Sequence, residues 1–278
     1  MKTILRVFPA QTSVTPSDDL CRFDEPGLFD PPECDEVHVS CVFTWHRGRA
    51  NRLAEAWSKC HANVKIGGPA FGDRGGEFVP SRYLQFGNII TSRGCPERCW
   101  FCDVWRREGN VRELPIVRGW RVHDSNLLAC SRHHQEAVFR MLEDQRNRPE
   151  FVGGLQAARL TEWHIKWLRR LKPRRMYFAY DTADDLEPLR SAGKLLEGFK
   201  ELYCYVLIGY PGDSVTAAET RLHETIAAGF LPFAMLYRDS AGCADNTWRR
   251  FQREWCRPAI VRTKMCPAAR LAGDCDDG

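Results

Sequence analysis

No uninterrupted apolar run in this chain of 278 residues approaches the roughly 20 needed to cross a bilayer, so no membrane anchor is expected. No secretory leader is expected either, because Arg6 and Pro9 break up the apolar residues after Met1 and Lys2. There is little excess of either charge. A net charge of +4 neither demands nor excludes a nucleic-acid partner. What the chain has in quantity is cysteine. Thirteen in a small secreted domain would mean disulfides, but an odd number without a leader, three of them clustered, fits a reducing cytoplasm. With 44% hydrophobic and 27% charged residues, the chain has enough apolar material for one substantial core and a smaller appendage.

Three of the cysteines stand in the run Thr91-Ser-Arg-Gly-Cys-Pro-Glu-Arg-Cys-Trp-Phe-Cys102, spaced C-x-x-x-C-x-x-C. Thiolates at that spacing fit one short loop around an iron–sulfur cube, which has four iron corners. One corner would lack a protein ligand, and an incomplete ligand set keeps a metal site open to substrate. Cys95, Cys99 and Cys102 are therefore the candidate metal ligands. Zinc held by the same three with His123 or His133 is the competing assignment, although such sites usually show two paired knuckles. Unligated core cysteines fit less well, since Arg93, Pro96, Glu97 and Arg98 make a poor core segment. The charges of Arg93 and Arg98 would favour thiolates.

The loop follows Gly87-Asn-Ile-Ile-Thr91, which reads as a buried strand. Cysteines so spaced after a strand, with the aromatic Phe101 just before the third, resemble the signature of the radical S-adenosylmethionine superfamily. The Thr-Ser-Arg-Gly-Cys-Pro phrase is most similar to the branch that often carries an N-terminal cobalamin-binding domain. The resemblance implies a 4Fe-4S cluster whose open iron is chelated by the amine and carboxylate of S-adenosylmethionine. It further implies reductive cleavage to methionine and a 5′-deoxyadenosyl radical, which abstracts hydrogen from a substrate the sequence does not identify. An electron donor such as flavodoxin or ferredoxin would supply the reductant. The fold implied is an open (β/α)6 partial TIM barrel.

The rest of the chain agrees with an α/β pattern. Residues 120–126, 151–156, 176–180, 202–209 and 233–237 read as strands, and Ser131, Thr161, Thr182 and Asp213 or Ser214 as caps of the intervening helices. Counted from Gly87, this makes about six strand–helix units, the alternation of a parallel sheet. The barrel would occupy residues 81–240, and residues 241–278 a helical extension and tail with Trp248, Phe251 and Trp255 on a closing helix. Residues 1–80 read as an irregular segment plus a small Rossmann-like strand–helix–strand appendage, with strands at 37–43 and 64–66 around a helix at 49–60. The first thirty-odd residues, broken by Pro26, Pro31 and Pro32, are expected to wrap loosely over the body. The Asp-x-His-x-x-Gly pattern of many cobalamin proteins is absent, Thr44 standing where its Asp would precede His46. Cobalamin is thus not expected, and His46 reads as a surface loop residue. The glycines from Gly67 to Gly76 read as a linker.

In parallel barrels functional groups gather where strands end. On the resemblance, the cofactor contacts would include Phe101 and, for the methionine amine, Asp124, Ser125 and Asn126. Gln156 and Arg159 follow the third strand, where a guanidinium can grip a carboxylate through two hydrogen bonds. Asp181 would accept from ribose hydroxyls, with Leu207, Ile208 and Gly209 beside adenine. Gly209 suits that place because a residue without a side chain lets a flat ring approach the backbone. The family's Gly-Gly-Glu phrase is missing, and Tyr205 replaces a usual glycine. An Asx-turn at 124–126 and helix capping by Asp181 are the structural alternatives.

Two further groups stand out. Lys166, Arg169, Arg170, Lys172, Arg174 and Arg175, beside Trp163 and Trp167, form a basic patch that RNA would suit, although the tryptophans also fit the inward stripe of a helix with Leu168 and Leu171. Cys243, Cys256, Cys266 and Cys275 are candidate ligands of an auxiliary cluster, at wide and irregular spacings. The competing function is a non-catalytic metal-binding protein, with zinc or an iron–sulfur cluster, whose basic helix contacts nucleic acid.

Overall fold

The computed structural model describes residues 2–27, 33–238, 242 and 245–265. It is an α/β protein with parallel sheets, and its main division into compact units falls after Gly153. In the first unit, strand β1 (Ile4–Val7) pairs in parallel with β2 (Cys21–Arg22) on one side and β3 (Glu36–Ser40) on the other. Helix α1 (Arg47–Ser58) then leads to β4 (Val64–Gly67), parallel to β3, giving the order β2-β1-β3-β4. Leu5 lies opposite Val37 and Val7 opposite Val39. These four, with Ala50, Leu53 and Trp57 spaced along one face of α1, make a closed apolar core.

The beginning of the chain does not wrap loosely. Ile4, Leu5 and Val7 form an inner strand, and Pro9 ends it without preventing it. Nor is residue 80 where the contacts divide the chain. Arg6 donates to the carbonyls of Ser81 (3.0 Å) and Arg82 (3.1 Å), so the segment after β4 is bonded back onto β1.

The same unit holds a second parallel run: β5 (Asn88–Ile89), β8 (Arg121–Val122) and β9 (Glu150–Phe151), with β8 in the middle. These strands are shorter than the apolar patterns at 120–126 and 151–156 suggested, since Asp124 and Gly153 already lie in the turns that follow. Between them come β6 (Ser92–Arg93), antiparallel to β7 (Arg112–Glu113), the short helix α2 (Val104–Glu108), and α3 (Arg132–Glu143). Ser131 caps α3 by accepting from the His134 N–H (3.2 Å), as expected.

The second unit carries α4 (Glu162–Leu171), β10 (Arg175–Tyr180), α5 (Leu186–Leu195), β11 (Leu202–Ile208), α6 (Val215–Ala227), β12 (Leu231–Leu236), α7 (Asn246–Trp255) and α8 (Pro258–Met265). Its strands run parallel in the order β12-β11-β10. Thr161 caps α4, Thr182 caps the turn before α5 and Ser214 caps α6, each at the expected place. On α4 the buried face is His164, Ile165, Trp167, Leu168 and Leu171, so Trp163 lies beside the inward stripe. Arg170 lies over the Trp167 ring at 4.5 Å, which ties part of the basic patch to the helix itself. Among the described residues no helix is long and apolar enough to cross a membrane.

Candidate functional site

The cysteine loop is held from both ends by buried carboxylates. Upstream, Asp124 at the end of β8 is 2% exposed and accepts three hydrogen bonds from the residues ahead of the loop. The donors are the Thr91 N–H (2.6 Å), the Thr91 hydroxyl (2.6 Å) and the Ser92 hydroxyl (2.7 Å). Burial pushes its carboxyl pKa up, while those same donors pull it back. Downstream, Glu108 at the end of α2 is 3% exposed and accepts from the Gly94 N–H at 2.8 Å, one residue before Cys95. Arg107 pairs with it at 2.8 Å and Arg93 at 3.9 Å. Gly94 has φ +84°, and a Cβ there would run into the Asn110 carbonyl, so the tight approach of the two ends requires glycine. The Cys95 N–H then bonds the Gly109 carbonyl (3.1 Å).

Between these anchors Cys99 is exposed and Cys95 and Cys102 are half-buried. The Asn126 side-chain N–H points at the Cys95 sulfur at 3.4 Å. Burial pushes the Cys102 thiol up, Cys95 and Asp103 add to this, and Arg107 opposes it. The arginine that favours the Cys102 thiolate is therefore Arg107, although it also pairs with Glu108, as Arg93 does at longer range. Phe101 is half-buried and meets Trp100 edge-on at 5.3 Å.

Residues 124–126, which follow β8 and His123, thus all serve the loop. Asp124 holds Thr91 and Ser92, the Ser125 hydroxyl lies 3.4 Å from Glu108, and Asn126 reaches Cys95. This is more than an Asx-turn, and it directs the groups expected at a methionine amine towards the protein itself. Glu108 was not legible as part of the site. A carboxylate behind two arginines on a short helix carries no periodic signal. Hydrogen bonds from a ligand's surroundings to its sulfur raise cluster potentials. Asn126→Ala should therefore make a bound cluster harder to reduce, by roughly 40 mV for the loss of about 1 kcal/mol, measurable by redox titration.

Behind the loop, ligand atoms of Asp124, Cys130 and His134 lie within 4.8 Å of one another and all three residues are buried. The donor set does not suit a metal. Asp124 already accepts three bonds, and burial pushes the Cys130 thiol up to about 12. His134 lies 3.3 Å from the Thr91 hydroxyl, completing a hydrogen-bonded knot. Of the histidines considered for zinc, His123 has Nε2 at 2.7 Å from the Asn88 side-chain oxygen, and burial lowers its pKa to about 4.

The remaining candidates lie in the second unit. The Gln156 side-chain Oε1 accepts from Arg159 Nε at 2.6 Å on an exposed turn. Asp181 accepts from the Leu207 N–H at 3.1 Å, across from β10 to β11. The capping role belongs to its neighbour Thr182, boxed with Asp185. Leu207 and Ile208 are both buried, and because side chains alternate along a strand they face opposite sides of the sheet. They therefore do not share one ligand surface. Leu207 shares its face with Tyr203 and Tyr205, both stacked on Tyr177, at 4.9 and 5.0 Å. Gly209 has φ +71°, and the space of its missing Cβ is filled by the Trp248 indole and Leu236, each 2.9 Å from a Cβ built there. A flat ring does approach this glycine, but it is the protein's own. Of the proposed auxiliary ligands, Cys256 is half-buried and Cys243, Cys266 and Cys275 lie outside the described residues.

Burial, and then the Asp185 carboxylate, push Asp181 up to about 7. An acid raised on folding from its ordinary 3.8 contributes stability that is complete below pH ~4 and is lost as pH rises through about 7. Asp181→Asn keeps the acceptor for Leu207 and removes the charge. Its melting temperature should gain on the wild type from pH 4 to pH 8, reaching a few degrees in calorimetry.

Comparison of the chain with protein-family models and with curated proteins finds no match to either.

Proposed function

We propose that this protein is a radical S-adenosylmethionine enzyme whose cluster ligands are Cys95, Cys99 and Cys102. The observation that carries the reading is the loop itself: three cysteines, one exposed and two half-buried, on a segment fixed at Thr91, Ser92 and Gly94 by two buried carboxylates. Such anchoring is what an open metal site needs, because its missing ligand gives it no closure of its own.

When bound, a 4Fe-4S cluster here supplies the electron that cleaves S-adenosylmethionine to methionine and the hydrogen-abstracting 5′-deoxyadenosyl radical. Asp124 and Glu108 set the loop's path, and Asn126 tunes Cys95 by its hydrogen bond. The finer fold reading is the open (β/α)6 partial barrel, supported by a run of three parallel strands in each unit. A reducing cytoplasm and a flavodoxin- or ferredoxin-type donor belong to the same proposal, in keeping with ten described cysteines that are all free. Metal analysis after anaerobic reconstitution tests it. About four irons and four sulfides per chain support the reading, while one zinc per chain and no iron refutes it.

A further inference from the structure

At the carboxyl ends of β1, β3 and β4 the first unit encloses a cavity of about 450 Å³. The chain places β2 on one flank of β1 and β3 on the other, so the order of strands reverses there. In open parallel sheets such a reversal parts the connections and leaves a crevice, and that crevice is where ligands bind. The volume lies within the roughly 300–1,000 Å³ of small-molecule sites.

Part of the wall is aromatic and flat. Phe8 follows β1, Phe43 follows β3, and Phe78 and Tyr83 come from the segment after β4. Phe43 is backed by a parallel Trp45 ring at 4.7 Å, and Tyr83 by His38 at 6.2 Å. Around the mouth, Val42 is 54% exposed, Ile66 39% and Val79 38%, an open cluster of large apolar side chains that water does not favour. Polar groups share the lining with them: Ser40 and Lys65, the charged Asp73, Glu77, Arg82 and Arg93, and the Tyr83 hydroxyl, which is 2.5 Å from His38 Nδ1. His46 lines it as well, so the residue that read as a surface loop is part of a wall.

We infer that this cavity binds a planar heteroaromatic small molecule, its faces against the Phe43 and Tyr83 rings and its polar edge met by Ser40, Lys65 and the His38–Tyr83 pair. A wholly aliphatic ligand would leave the polar groups unmet, whereas a flat heteroaromatic one offers faces to the rings and polar edges to those groups. Ile90 and Arg93 also line the cavity, so it borders the segment that carries the cysteines, and its ligand is read separately from the iron.

Equilibrium dialysis of the anaerobically reconstituted chain against riboflavin, adenosine and guanosine, with iron content measured alongside, tests it. At least one probe should saturate at one per chain. Tyr83→Ala should weaken that binding about tenfold or more, the scale of a lost stacking partner. Gly76→Phe should abolish it by placing a ring at the exposed edge of the lining, where a Cβ meets nothing within 4 Å. Circular dichroism confirms that both variants are folded. No saturable binding of any probe, or binding that Gly76→Phe leaves unchanged, overturns the assignment. Because iron is read separately, its loss counts against the cluster and not against the cavity.

Discussion

Cys95→Ala, Cys99→Ala and Cys102→Ala should each abolish iron–sulfur loading and all cleavage of S-adenosylmethionine, while Cys60→Ser, at an exposed cysteine on the first sheet's side of the unit, should leave both intact. The loss is expected to be complete because a cube with one open corner already has its minimum of protein ligands. The apo fold should survive. Cys99 is exposed, and surface substitutions of this kind usually change stability by no more than about 0.5 kcal/mol. Iron and sulfide assays with circular dichroism read the two effects apart. A variant that keeps its cluster would remove that cysteine from the ligand set.

Asp124→Ala should instead unfold or severely destabilise the first unit. It would leave the Thr91 amide and the hydroxyls of Thr91 and Ser92 without their acceptor in a dry site. At about 1–3 kcal/mol for each of the three buried unsatisfied groups, the total is roughly 3–9 kcal/mol, a large share of the ~5–15 kcal/mol that stabilises a domain. Asp124→Asn keeps the shape and one acceptor oxygen, so a smaller loss, about 1–3 kcal/mol, is expected. Thermal melts decide between this holding role and direct binding of the cofactor's amine. If Asp124 only met the amine, Asp124→Asn would melt like the wild type and weaken cofactor binding alone.

Much of the fold was legible because its signals are local. The caps at Ser131, Thr161, Thr182 and Ser214 and the apolar runs of β10 and β11 each carry their own pattern. Strand β1 was obscured, since prolines downstream suggested irregular chain while Ile4, Leu5 and Val7 gain their place only by pairing with β2 and β3. The cysteine loop was plain from spacing. Its supports were not: Glu108 acts on Gly94 through a fold that brings α2 back over the loop, and no residue pattern encodes that return. At Gly209 the sequence pointed to an adenine neighbour, and no pattern there encodes the approach of Trp248 on α7.

The central claim is that the cysteine loop exists to cleave S-adenosylmethionine. Its most direct test is to reconstitute the chain anaerobically, reduce it, add S-adenosylmethionine and analyse the products by chromatography. The account predicts 5′-deoxyadenosine and methionine in equal amounts, dependent on all three cysteines. A chain with a full, reducible 4Fe-4S cluster that leaves S-adenosylmethionine intact, or converts it only to S-adenosylhomocysteine, would contradict it.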